Sequence, residues 1–211
     1  MPEIRRKTNK EIEKAVDILL QKCSKGNSFP VDVENIVEIC LGLTLIPEKG
    51  LSNMGMGEAF ITIGSKEIVI DYDLYMTESR KSRLAFSLAH EVAHYILHKE
   101  LFQGIKTFDG YKDRILNMPA EQLEVLEREA DKFAGYLLLP KNLLDKELKK
   151  YWSVLGSWDL RDTATFVERL SKKSNCNPTT ICIQLKRVYQ RELSANVTGH
   201  LELIVNMGKV R

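Results

Sequence analysis

His90, Glu91 and His94 stand in the arrangement H-E-x-x-H. On a helix, two histidines four residues apart share one face, with about 6 Å between their Cα atoms, so both imidazoles can reach one ion. Glu91 borders the same face and is placed to act as a base on a water beside the ion rather than as a ligand. Zinc is the default cation for this pair. Catalytic zinc needs a third protein ligand and an open position for water, whose pKa it lowers to about 7. Three of the chain's four histidines are at 90, 94 and 98. His98 is about 12 Å along the axis from His90, too far to share an ion with both others, and is read as a packing or supporting residue.

The missing ligand is expected from the acid-rich stretch Glu121 to Asp131. Glu127 and Glu129 both flank its apolar stripe, one on each side of Ala130, and Glu124 and Asp131 lie slightly farther round. Periodicity therefore names the helix and leaves the residue open. Tyr95, Tyr111 and Tyr136 can in principle donate to an oxyanion, with packing the default role of each.

The elements that must position these groups are legible in outline. Ile12, Val16, Leu19 and Leu20 mark an opening amphipathic helix behind Asn9, and Asp32 caps a second one through Cys40. Residues 43–46, 59–63 and 67–72 read as strands, with turns at 50–57 and at Gly64-Ser65. Leu84, Leu88, Val92 and Ile96 predict the motif helix from about Ser79 to Lys99, and Leu123, Leu126, Ala130, Phe133 and Leu137 predict a second core helix after Pro119. Residues 100–118 lack a period and read as a connecting loop with a short helix near its end. Beyond Pro140 come an aromatic loop with Trp152 and Trp158 and two helices, near 159–173 and 178–193, parted by the turn SNCN.

With 44% hydrophobic and 28% charged residues in 211, the composition is that of a globular protein with room for one compact body and a small extra module. The start lacks the apolar stretch of a secretory signal, and no apolar run approaches the roughly 20 residues of a membrane span, which points to the cytoplasm. Cys23, Cys40, Cys176 and Cys182 form no C-x-x-C pair and read as buried thiols. Residues 1–140 carry 18 Lys and Arg against 22 Asp and Glu, whereas residues 141–211 carry 13 against 7, a basic end for which a solvated lysine-rich surface is the default.

The phrase RLAFSLAHEVAHYILH (Arg83 to His98) followed by EREADKFAGYLLLP (Glu127 to Pro140) resembles the ImmA/IrrE family of zinc metallopeptidases. The resemblance covers about residues 12–190, although the connection over Glu100 to Met118 is longer than the family's usual one. It implies an α+β fold: a mainly helical zincin-like metallopeptidase core over 1–140 with a small antiparallel or mixed sheet, and a helix-turn-helix-like C-terminal appendage over 141–211. It also implies that His90, His94 and Glu129 hold zinc in gluzincin manner, Glu129 being the residue before Ala130 in E-A-D-x-F-A, with Glu91 as the catalytic carboxylate. The implied substrate is a partner protein, a helix-turn-helix repressor of a phage, mobile element or stress regulon. Two rival readings stand beside it. One is a DNA-binding regulator whose Lys186, Arg187 and Arg191 meet phosphates; the other is a zinc-stabilised protein-binding module without chemistry.

Overall fold

The computed structural model describes residues 5–23, 26–51, 57–64, 66–150 and 158–209. Of the sequence expectations, part of the glycine-rich turn (52–56), Ser65 and Trp152 lie outside these residues. The chain divides into two compact units, one of residues 1–25 and 32–137, the other of residues 26–31 and 138–211; the sequence had placed the division after Pro140.

The first unit opens with α1 (Asn9–Lys22). Its cap is Thr8 rather than Asn9: the Thr8 hydroxyl accepts the Glu11 N–H while the Glu11 carboxylate accepts the Thr8 N–H, so two otherwise unpaired donors are satisfied reciprocally. Asp32 caps a short helix, α2 (Val33–Asn35), which continues into a wider turn over Ile36–Cys40. Cys23 and Cys40 are joined in a disulfide, so the expectation of four free thiols holds only for Cys176 and Cys182. The reason is tertiary: the end of α1 and the end of the Ile36–Cys40 turn meet, with the two Cα atoms 5.5 Å apart.

Three strands, β1 (Thr44–Glu48), β2 (Ala59–Thr62) and β3 (Glu67–Asp71), form a mixed sheet in the order β1-β3-β2. β3 is central, parallel to β1 and antiparallel to β2, and its Ile68 and Ile70 are wholly buried. α3 (Tyr72–Met76) follows directly, its first N–H groups capped by the Asp71 carboxylate. Then comes the motif helix α4 (Lys81–Leu97), which packs across β2. The segment expected to be mainly loop is largely helical, with α5 (Lys99–Phe102) and α6 (Phe108–Leu116), and leads into α7 (Ala120–Leu138). Leu88, Ala89 and Val92 of α4, with Leu126, Ala130, Phe133 and Leu137 of α7, are wholly buried. Truncating Phe133 to alanine is expected to cost about 3–5 kcal/mol in a denaturant titration, as deletion of a large buried ring does.

The second unit contains α8 (Lys141–Leu148), α9 (Leu160–Ser174), α10 (Pro178–Val188) and α11 (Ala195–Lys209). Asn175 ends α9 in the left-handed conformation that asparagine tolerates, and Asn177 caps α10, whose first residue is Pro178. The α9–turn–α10 pair follows the sequence expectation. α11 does not: it packs against both α9 and α10, burying Val197 and Leu201. Several basic side chains here are paired, Lys186 with Glu202 at 2.6 Å, Lys173 with Glu147 at 2.6 Å and Lys172 with Glu168 at 2.8 Å. Among the described residues no helix is long and apolar enough to cross a membrane.

Candidate metal centre

One turn of α4 separates His90 from His94, and their Nε2 atoms come within 3.1 Å of each other. From α7, Glu127 places Oε2 3.1 Å from His90 Nε2 and Oε1 3.6 Å from His94 Nε2. These three side chains offer ligand atoms that all lie within 4.8 Å of one another. A single divalent ion fits such a donor set, two imidazoles and a carboxylate, with room left for a further ligand.

Glu129, the residue the resemblance selected, is elsewhere. Residues two apart on a helix point about 200° away from each other, so Glu127 and Glu129 cannot serve the same spot. Glu129 is buried, accepting the Lys7 backbone N–H at 2.6 Å and lying 3.2 Å from His98 Nε2. Asp131, one turn beyond Glu127, lies on the cluster's side of α7, with Oδ1 3.1 Å from His90 Nδ1. A carboxylate on the far nitrogen of a ligating histidine fixes the ring and its tautomer. The signal missed in the sequence was this pairing: Glu127 and Asp131 repeat on α7 the four-residue interval of His90 and His94 on α4.

Glu91 is buried at the floor of the cleft, where the Ile61 backbone N–H donates to its carboxylate. Its Oε2 has no hydrogen-bond partner among the described residues. A buried carboxylate oxygen left in this way is costly unless something cationic or protic meets it, which fits a metal and its water beside His90 and His94. Burial pushes Glu91 up to about 7, with the Glu127 charge adding and His90 and the Ile61 N–H opposing. Burial alone would depress His90, but the Asp131 and Glu127 carboxylates outweigh it and carry it up to about 10. Burial, with the neighbouring histidines His90 and His98 adding to it, holds His94 well below the usual imidazole range. Burial also takes His98 down to about 3, helped by the Lys7 charge.

The cleft over this cluster has a volume of about 530 Å³ and runs from the start of β2, at Gly57 to Ala59, across Phe86 and Ser87 to Tyr111, Ile115 and Leu123. Tyr111 is held by stacking on Phe60 and Phe102, with centroids 5.3 and 5.7 Å apart, and Phe102 packs edge-on to His94 at 5.7 Å. Of the three tyrosines considered from sequence, it is the one that lines the cleft. α6, which supplies it, lies where the sequence suggests a short helix near the end of the 100–118 connection.

Residues 65–171 match the peptidase M78 family, described as the IrrE N-terminal-like domain. The chain belongs to that family. M78 membership makes it a metallopeptidase-type protein with a protein substrate, in agreement with the two phrases around His90 and Ala130 and with the His-His-Glu cluster. No curated protein matches the chain closely.

Proposed function

We propose that this M78 chain is a zinc-dependent endopeptidase in which His90, His94 and Glu127 hold the metal and Glu91 is the general base. The observation that carries the reading is the convergence of two imidazole Nε2 atoms and one carboxylate in the cleft that Glu91 also lines. A zinc ion there supplies Lewis-acid polarisation of a peptide carbonyl and acidification of a water. Glu91 takes the proton of the attacking water and returns it to the departing amine, the work of a positioned carboxylate base. The Ile61 N–H favours the ionised form of Glu91, whose Oε2 has no hydrogen-bond partner among the described residues. Asp131 holds His90 with its Nδ1–H engaged and Nε2 free to bind. The cleft that would receive the substrate is lined by the Gly57 to Ala59 backbone and by the apolar side chains of Phe86, Ile115 and Leu123.

The substrate we favour is a helix-turn-helix repressor, on the strength of the family resemblance, cleaved in the cytoplasm. Thiols are kept reduced in that compartment, so the Cys23–Cys40 bridge is not required for this reading. Of the three basic residues of the DNA-binding alternative, Lys186 is ion-paired with Glu202 and Arg187 donates to Gln184 at 2.7 Å. The test is to co-express the chain with repressors encoded beside it and follow them by intact mass. Zinc-dependent appearance of two complementary fragments is expected. Repressors that stay whole, while the isolated chain shifts duplex DNA in a salt-dependent way, would favour the regulator instead.

A further inference from the structure

We propose that His98 and Glu129 are positioning residues that fix the metal-facing state of His94 and tie it to the N-terminal segment at Lys7. The proposal rests on the metal site described above and adds to it a path that starts on the other side of the imidazole. His94 Nδ1 lies 3.1 Å from His98 Nδ1, His98 Nε2 lies 3.2 Å from Glu129 Oε2, and Glu129 Oε1 accepts the Lys7 N–H at 2.6 Å. Lys7 Nζ adds an ion pair to Glu129 Oε2 at 3.4 Å. His94, His98 and Glu129 are each no more than 3% exposed, so their polar atoms depend on one another rather than on water.

The protons of this chain can be placed in one consistent way. For His94 to present a lone pair at Nε2, its ring proton must sit at Nδ1 and be donated to His98. His98 Nδ1 is then an acceptor, so its own proton sits at Nε2 and goes to the Glu129 carboxylate. The carboxylate has a second oxygen free for the Lys7 N–H. Every donor meets an acceptor, both histidines stay neutral, and the only charges are those of Glu129 and Lys7. If His98 were protonated at Nδ1 instead, two N–H groups would face each other across 3.1 Å or His94 would lose its free Nε2. Outer partners of this kind set ring orientation and ligand basicity, and losing one typically costs about 10- to 100-fold in metal affinity.

The chain also gives a role to two residues that the motif alone leaves idle. His98 is out of reach of the ion, and Glu129 faces away from it, yet both act on His94. Thr8 and Glu11 close a capping box immediately after Lys7, which fixes the segment that anchors Glu129.

Zinc affinity measured by competition with a chromophoric chelator, beside thermal unfolding of the metal-free proteins, tests this. His98→Leu keeps apolar volume but breaks the chain, and is expected to bind about one zinc with affinity weakened about 10- to 100-fold. His98→Gln can accept from His94 through its amide oxygen and donate to Glu129 through its amide nitrogen, and is expected to restore affinity. If the leucine variant does not fold, Glu129→Gln decides: its amide must leave either the His98 or the Lys7 N–H without an acceptor, and affinity should fall. The proposal is overturned if the leucine variant, or Glu129→Gln in its place, binds zinc as wild type does, or if leucine and glutamine at 98 weaken binding equally. Wild type that binds no zinc would overturn the metal site itself, a result distinct from unchanged affinity in the variants.

Discussion

Glu91→Gln is expected to slow peptide-bond cleavage by about 10²- to 10⁴-fold, the usual contribution of a positioned general base, while the variant still binds one metal ion. Glutamine fills the same space and its amide oxygen can accept the Ile61 N–H, so the floor of the cleft should keep its shape. It cannot take a proton from water at neutral pH. The measurement is single-turnover cleavage of whichever protein the wild type cuts, with metal content determined on the same sample. Cleavage at an undiminished rate would remove Glu91 from the chemistry. Loss of cleavage together with loss of metal would mean that the residue supports the ion rather than the proton transfer.

A larger effect on metal binding is expected at Glu127. Glu127→Ala removes one of three protein ligands, and its affinity should fall by more than the roughly 100-fold that marks the upper end of outer-partner losses. Glu129→Ala should keep its stoichiometry of one and show only the outer-partner loss. The two positions are separated by their contacts: Glu127 reaches both His90 and His94, whereas Glu129 is engaged by His98 and Lys7. Isothermal titration with zinc distinguishes them, and the reverse order of effects would return the ligand role to Glu129.

The histidine pair, its helix and the acidic helix that faces it were legible because each is a local pattern of period 3.6. The choice between Glu127 and Glu129 was not, because an apolar stripe marks the buried side of α7 and both residues border it. Glu129 lies on the more buried border, where a carboxylate needs internal partners, and it finds them in Lys7, distant in sequence, and in His98. The mixed sheet was foreseen as an alternative, but the direct parallel pairing of β1 with β3, which β2 separates in sequence, is a tertiary choice that no strand records by itself. The Cys23–Cys40 bridge escaped for the same reason. α11 escaped because its apolar residues are spread round the helix, with Val197 and Leu201 buried but Leu203 and Met207 exposed, so no single stripe marks it and its place is decided by the faces of α9 and α10.

The most direct test of the account is the metal content of the wild-type chain, measured by elemental analysis after purification without a metal-affinity step, then after chelation and after zinc titration. About one zinc per chain, lost to the chelator, regained on titration and accompanied by a higher melting temperature, is the predicted result. A chain that carries no metal and binds none on titration, with a melting temperature indifferent to zinc, would contradict it.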